Sequence, residues 1–144
     1  MKNIVILRGV PGSGKSTYAA KNYPSFKVFE NDQFFMKDGS YQYDPKKIGE
    51  ACTACQCKAL LAMSKGEDVV ISNTHTHLWE FFIYVNMANV FGYNMKVIHL
   101  RNRFKNVHNV PDETVQRMEY EYEPYPNETE VRNYLSEEEF ATLL

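Results

Sequence analysis

A glycine-rich segment near the start of the chain constrains the fold more than any other feature of the sequence. Residues 9–17 are GVPGSGKST, which satisfies the pattern G-x-x-x-x-G-K-[ST] at every position. The β-branched and apolar residues 3–7 before it predict a buried strand, and residues 15–22 after it predict a helix that ends ahead of Pro24. This strand–loop–helix context is the one that the pattern requires, so we predict a phosphate-binding loop.

The residue types of this loop match the chemistry of a bound nucleoside triphosphate. Its glycines let successive backbone N–H groups converge on one point, beside the positive end of the following helix. The lysine would bring a full charge to the β- and γ-phosphates, and the serine would offer a hydroxyl to Mg²⁺. We therefore predict that ATP and Mg²⁺ bind here. The predicted cofactor-binding residues are Gly9, Pro11, Gly12, Ser13, Gly14, Lys15, Ser16 and Thr17, with Lys15 also catalytic and Ser16 the metal ligand, together with waters.

The rest of the chain alternates between predicted strands and helices. Further strands are predicted at residues 26–30, 68–72 and 94–100, and further helices at residues 44–64, 78–91 and 111–122. This alternation indicates a parallel sheet with helices on both faces. We predict an α/β, three-layer P-loop NTPase fold with about four strands and a small basic lid. We expect a single domain over residues 1–144, whose acidic helical tail at about 123–144 includes a capping box at Ser136 and Glu139.

Composition and charge narrow the class of protein. Hydrophobic residues make up 44% of the chain and charged residues 24%, which excludes a disordered or fibrous chain. The longest uncharged apolar stretch, residues 81–95, is too short to span a bilayer, and the N-terminus has no signal-peptide pattern. Three crowded cysteines do not form the framework of a secreted protein. We expect a cytoplasmic protein without a membrane partner.

Residues just after each predicted strand indicate what happens to the phosphate, because ligands of such sheets bind beyond the carboxyl ends of the strands. Asp32 follows the second strand, where a carboxylate can take the proton of a hydroxyl acceptor; Glu30 is the competing carboxylate, and a helix or turn cap is the alternative role. Asn73 and Thr74 follow the third strand, and we expect them on the acceptor side. Many P-loop proteins place an acid there, so an uncharged Asn73 favours transfer to a hydroxyl over hydrolysis.

A short basic segment follows the fourth strand. Lys96, Arg101, Arg103 and Lys105 precede residues 112–139, which hold ten of the 18 acidic residues. This asymmetry indicates an anion-binding element more than a nucleic-acid-binding surface, with a solvated charged face as the alternative. We predict that Arg101 and Lys105 share one face of a lid helix and act as catalytic residues on the transferred phosphoryl group.

Two clusters resemble metal sites only superficially. Cys52, Cys55 and Cys57 lie within a predicted helix and have no second pair at zinc spacing, so we predict buried or half-buried side chains without a metal. His75 and His77 stand two residues apart after the third strand. We predict that they are exposed or face the substrate rather than bind a metal.

These motifs, taken together and in order, resemble the 5′-kinase domain of phage polynucleotide kinase and, more closely, short ATP-binding relatives of that domain. The resemblance is carried by residues 9–17, Asp32, residues 71–74 and residues 101–111, with a Tyr-x-Tyr-Asp element at residues 41–44. It covers about residues 2–123 and implies an ATP-dependent kinase that phosphorylates a hydroxyl, foremost a 5′-hydroxyl nucleic-acid end.

The resemblance also implies roles for individual residues. Lys15 and Ser16 match the phosphate- and metal-binding pair, Asp32 matches the general base, Arg101 matches a lid arginine, and Lys105 falls where polynucleotide kinase has a second one. Phe35 departs from the pattern, because the phage enzyme has an arginine there near the acceptor phosphate, and Asn73 replaces an aspartate. Two other functions remain open: a kinase of a nucleotide, modified base or other small hydroxyl substrate, and an ATP-binding regulatory module without transfer activity.

Overall fold

A computed structural model describes residues 2–104 and 110–132 of the chain. Strands and helices alternate along the described residues, as the sequence predicts. The strands are β1 (Asn3–Arg8), β2 (Lys27–Phe29), β3 (Met36–Lys37), β4 (Ser40–Tyr41), β5 (Val69–Ser72), β6 (Asn94–Leu100) and β7 (Thr129–Val131). The α-helices are α1 (Lys15–Asn22), α2 (Ile48–Ser64), α3 (Phe82–Phe91) and α4 (Asp112–Glu121). Short 3-10 helices occupy Asn31–Phe35, Pro45–Lys47 and Leu78–Glu80.

Five of the described strands form one parallel sheet in the order β2-β5-β1-β6-β7. In register, Ile4 of β1 lies opposite Val69 of β5 on one side and Met95 of β6 on the other. β3 and β4 form a separate antiparallel hairpin. The apolar run of β1 is fully buried because this strand lies at the centre of the sheet, with neighbours on both edges.

Side chains of β1 alternate between two hydrophobic cores, one on each face of the sheet. Ile4 and Ile6 pack in the core that contains buried residues of α2 and α3, whereas Val5 and Leu7 pack in the core that contains Ala19 of α1. Helices therefore cover both faces, which confirms the predicted three-layer α/β fold. Among the described residues, no helix combines the length and apolar character needed to cross a bilayer.

The edge strand β7 corrects the predicted strand number and the predicted C-terminal tail. Thr129–Val131 pairs with β6, with Thr129 opposite Ile98, where a helical tail from residue 123 was expected. Three residues of mixed polarity carry no strand pattern of their own, and β7 forms because β6 offers it an edge. Ser136 and Glu139, the predicted capping box, lie outside the described residues.

The last residue of β1, Arg8, is a buried charge that the sequence did not reveal. Its guanidinium donates to the carbonyl of His75 at 2.9 Å, to the carbonyl of Glu123 at 2.7 Å and to Glu128 Oε1 at 2.8 Å. It also lies 4.2 Å from the centre of the Tyr122 ring. Arg8 therefore binds the segment between α4 and β7 to the central strand of the sheet.

Candidate active site

The glycine-rich loop between β1 and α1 is held on two sides by neighbouring segments. Gly9 N donates to Thr74 O at 3.2 Å, and Asn102 Nδ2 donates to Ser13 O at 3.4 Å. Gly14 caps the start of α1 with a left-handed φ of 86°, a conformation that side chains disfavour. The backbone of the loop is thus fixed by residues that follow β5 and β6.

Gly9 is required by close packing. A Cβ at this position would lie 2.5 Å from Ser13 Oγ and 2.7 Å from the Leu100 carbonyl oxygen. We expect Gly9→Ala to weaken ATP binding at least tenfold in a nucleotide titration, because the loop must shift. The strain should also lower the free energy of unfolding by about 1–3 kcal/mol.

Gly49 provides a matched control for this prediction. A Cβ at Gly49 in α2 meets nothing within 4 Å, and alanine favours a helix over glycine by about 0.5–1 kcal/mol. Gly49→Ala should therefore keep wild-type ATP affinity and unfold at a slightly higher urea concentration. Equal ATP affinity of the two variants would contradict the packing argument.

Lys15, at the start of α1, points back over the loop. Its Nζ donates to Gly9 O at 2.7 Å and to Val10 O at 3.2 Å. Desolvation lowers the pKa of Lys15 to about 8, against the opposing attraction of Glu30 and Asp32. The ammonium group is therefore largely charged at neutral pH, and it is held by main-chain carbonyls that a triphosphate could replace.

A cavity of about 650 Å³ opens beside this loop. Its wall is formed by the loop, the residues after β2 and β5, the β3–β4 hairpin and parts of α2 and α4. The lining residues are Pro11, Gly12, Gly14, Lys15, Ser16, Thr17, Glu30, Asn31, Asp32, Phe35, Tyr41, Tyr43, Ile48, Ala51, Ser72, Asn73, Thr74, Val110, Pro111, Thr114 and Met118. This volume is in the range of small-molecule binding sites.

The two carboxylates of the cavity have different partners. Ser16 Oγ donates to Glu30 Oε1 at 2.6 Å, which joins Glu30 to the phosphate loop. Tyr41 OH donates to Asp32 Oδ1 at 3.0 Å, which joins Asp32 to the hairpin. Desolvation, followed by the nearby Asp32 charge, raises the pKa of Tyr41, so its hydroxyl stays protonated and remains a donor.

Asn73 supports the turn that carries Asp32. The Asn73 Oδ1 atom accepts a hydrogen bond from Asn31 N at 2.8 Å, and its Nδ2 lies 3.2 Å from His75 Nε2. Asn31 in turn donates from Nδ2 to Cys52 Sγ at 3.3 Å. The uncharged amide after β5 therefore positions the 3-10 helix next to the cavity.

His75 is buried, which corrects the expectation that it is exposed or faces the substrate. His75 is 3% exposed, and its ring packs against those of Phe81 and Tyr84, with ring-centre distances of 5.4 and 5.9 Å. Burial lowers the pKa of His75 to about 3, and the charges of Arg8 and Lys15 act in the same direction. The ring is therefore neutral, with Nε2 able to accept from Asn73.

The neutral His75 predicts loss of stability in acid. An unfolded histidine binds a proton near pH 6.5, whereas folded His75 does so only near pH 3, so the unfolded state binds more protons between these values. Its contribution to stability is complete above pH 6.5 and falls as the pH drops, by about 2 kcal/mol between pH 7 and pH 5. Urea unfolding of His75→Asn should show a shallower pH dependence than wild type. Identical slopes would show that His75 is not kept neutral by the fold.

Most of the predicted site residues lie together. Gly9 and Ser13 stabilise the loop, and the other predicted loop residues line the cavity with Asp32, Asn73 and Thr74. Arg101 does not line the cavity, and its Nη1 donates to Glu130 Oε2 at 3.3 Å. Residues 101–104 are not helical, contrary to the predicted lid helix. Lys105 lies outside the described residues. The catalytic roles of Arg101 and Lys105 stay predictions.

The cysteines on α2 differ in burial. Cys55 is buried and accepts a hydrogen bond from Tyr84 OH at 3.2 Å, and Cys52 is half-buried. Cys57 is exposed, so the expectation of a buried or half-buried side chain is wrong for this residue. Burial raises the pKa of Cys52 and Cys55, which keeps both as thiols at neutral pH.

Sequence reasoning missed the aromatic wall of the cavity. Phe35, Tyr41 and Tyr43 line it together, with the Phe35 ring centre 5.2 Å from that of Tyr43. The spacing of two between the tyrosines was a usable signal, because residues i and i+2 of an extended chain lie on the same side. Phe35 contacts them only because the chain reverses at β3 and β4.

The sheet order and the glycine-rich loop between β1 and α1 define a P-loop NTPase fold. The chain belongs to the AAA domain family AAA_33, whose family model matches residues 4–125. It is also similar to human NEDD4-binding protein 2, with 33% identity over 137 residues. That match covers 85% of this chain, and the chain spans only 8% of the length of the human protein.

Two solved structures share the fold at low sequence identity. The APS kinase CysC of Mycobacterium tuberculosis, in complex with AMPPNP and APS, superposes with a TM-score of 0.61 at 14% identity, covering 99% of this chain and 95% of that one. A chain of the Pnkp1/Rnl/Hen1 complex superposes with a TM-score of 0.57 at 19% identity, covering 81% of this chain and 38% of that one. These similarities establish the fold.

Proposed function

We propose that the protein is an ATP-dependent phosphotransferase that moves the γ-phosphate to a hydroxyl acceptor, foremost the 5′-hydroxyl end of a nucleic acid. The observation that carries the proposal is the division of the two carboxylates. Glu30 is bound by Ser16 of the phosphate loop, whereas Asp32 lines the same cavity from the side of the hairpin. We infer that Glu30 belongs to the nucleotide side of the cavity and Asp32 to the acceptor side.

The phosphate loop supports ATP as the donor. Backbone N–H groups of the loop and the Lys15 ammonium would hold the β- and γ-phosphates. The oxygens of Ser16 and Glu30, 2.6 Å apart, are hard donors of the kind that Mg²⁺ prefers, with phosphate oxygens and waters as its remaining ligands. Mg²⁺ bound there would neutralise charge on the phosphates.

Asp32 is the proposed general base. Its carboxylate would accept the proton of the acceptor hydroxyl while the bond from that oxygen to the γ-phosphorus forms and the bond to the β,γ-bridging oxygen breaks, releasing ADP. Tyr41 donates to one oxygen of Asp32 and so fixes the orientation of the carboxyl group. Asn73 holds the neighbouring residue Asn31, which stabilises the position of Asp32 on its turn.

Resemblance to known kinases supports the choice of acceptor. The ordered strand-end motifs resemble a polynucleotide 5′-kinase, and a chain of the Pnkp1/Rnl/Hen1 complex shares the fold. The APS kinase shares it as well, which favours a small-molecule acceptor as the second candidate. A regulatory module without transfer activity gives no reason for a carboxylate such as Asp32 to face the phosphate loop across the cavity.

Transfer of labelled γ-phosphate from ATP to a panel of acceptors tests the proposal. The panel contains 5′-hydroxyl DNA and RNA oligonucleotides, nucleosides and small hydroxylated metabolites. We expect label on the 5′-hydroxyl ends, with an affinity that falls as salt is raised, because a polyanion releases counterions when it binds. Label confined to one metabolite would favour the small-molecule kinase, and tight ATP binding without any transfer would favour the regulatory module.

A further inference from the structure

We propose that Phe35, Tyr41 and Tyr43 form an aromatic subsite that stacks on the nucleobase of the acceptor. This inference rests on the proposed function and deepens it. It names the recognised unit of the acceptor as a nucleoside, the sugar that bears the 5′-hydroxyl together with its base.

The three rings form one packed group in the cavity wall. Phe35 is 3% exposed, and its ring lies edge-on to both tyrosines. The rings of Tyr41 and Tyr43 are nearly parallel, with an interplanar angle of 12° and centres 6.3 Å apart. Tyr43 is 53% exposed, so it has free ring surface against which a planar ligand could stack.

The aromatic subsite is joined directly to the proposed base. Asp32 and Phe35 belong to the same 3-10 helix, and Tyr41 OH donates to Asp32 Oδ1 at 3.0 Å. A ring stacked on these aromatic side chains would therefore lie next to residues that contact Asp32. A nucleoside has this arrangement, because its 5′-hydroxyl is attached to the sugar that carries the base.

Further apolar side chains complete a site suited to a ring. Ile48 of α2 and Met118 of α4 line the cavity with the aromatic group, and so does Pro111. Stacking of a base on an aromatic side chain contributes about 1–3 kcal/mol, roughly 5- to 150-fold in affinity. Because every base has a flat face, this mode of binding tolerates different bases.

Acceptor analogues test the inference directly. Phosphoryl transfer would be measured to thymidine and to methyl 2-deoxyribofuranoside, which keeps the furanose ring and its 5-hydroxyl but lacks the base. We expect kcat/KM for the furanoside to be at least about 30-fold below that for thymidine. Equal kcat/KM values for the two acceptors would overturn the inference.

Variants at Tyr43 identify the surface responsible. Tyr43→Ala should raise the KM for thymidine about tenfold and leave the KM for ATP unchanged, and Tyr43→Phe, which keeps the ring, should lose far less. Tyr120→Ala removes a tyrosine that is 92% exposed and does not line the cavity, and it serves as the control. Equal KM values for thymidine in Tyr43→Ala and Tyr120→Ala would contradict the assignment.

Binding measured without turnover separates this inference from the proposed function. Calorimetric titration of thymidine into protein saturated with AMPPNP reports the subsite alone. Binding that is weakened by Tyr43→Ala, in a protein that phosphorylates no acceptor, would support the subsite and refute the phosphotransferase. Transfer to thymidine that is insensitive to Tyr43→Ala would refute the subsite and support the phosphotransferase. A wild-type protein that neither binds thymidine nor phosphorylates any acceptor would refute both.

Discussion

Replacing Lys15 with alanine is expected to lower Mg-ATP binding or turnover by about 10²–10³, because one positioned cation in a phosphate site contributes on that scale. The Lys15 ammonium donates to Gly9 O and Val10 O over the loop, and the substitution removes its charge from the proposed phosphate site. Nucleotide titration and steady-state kinetics would measure the loss.

A second lysine on the same helix makes the control for this experiment. Lys21 lies exposed in the last turn of α1, and Lys21→Ala should leave ATP affinity unchanged. The pKa of Lys15 near 8 adds a pH test, because the free protein loses this charge as the pH rises through that value. Wild-type affinity for ATP should therefore weaken above about pH 8, and Lys15→Ala should lack that step. Unchanged binding and turnover in Lys15→Ala would remove the basis of the proposed function.

Asp32→Asn is expected to lower phosphoryl transfer by about 10²–10⁴ and to leave ATP affinity within a few-fold of wild type. The substitution keeps the size of the side chain and an oxygen that can accept from Tyr41, but it removes the group that takes the proton. Transfer to an acceptor known to be phosphorylated, measured together with nucleotide titration, separates the two effects.

Glu30→Gln is the matched comparison, since it makes the same chemical change two residues away. Because Glu30 accepts from Ser16, we expect its loss to act mainly on the dependence on Mg²⁺ and ATP, with a much smaller loss of transfer at saturating concentrations. If Glu30→Gln abolishes transfer while Asp32→Asn retains it, Glu30 is the base. If neither variant matters, the proposed mechanism is wrong.

The central part of the fold could be predicted because its determinants are local. The apolar run of β1 and the glycine-rich loop each carry their own pattern, and alternation of elements then implies a parallel sheet. The strand β7 could not be predicted, because its three residues become a strand only through pairing with β6. Arg8 could not be recognised as buried either, since its partner Glu128 is 120 residues away.

The candidate site also contains residues whose positions local sequence predicts and contacts that it does not predict. The position of Asp32 after β2 follows from the rule that parallel strands end at one edge, and this residue does line the cavity. Its bond to Tyr41 depends on how the short β3–β4 hairpin folds back, which no local pattern encodes. His75 has a similar explanation, because a histidine after a strand gives no sign that Phe81 and Tyr84 will enclose it.

The buried guanidinium of Arg8 bears on where this folding unit can be cut. The family match stops at residue 125, yet the carboxylate that compensates Arg8 belongs to Glu128, and β7 follows at Thr129–Val131. A fragment that stopped at residue 125 would keep the phosphate loop but leave a charge in the interior without its counter-ion, at a cost on the order of 3–5 kcal/mol. Such a fragment would also lack β7 and leave the edge of β6 unpaired. An independently stable excised fragment therefore has to continue through Val131, beyond the boundary that family similarity alone would suggest.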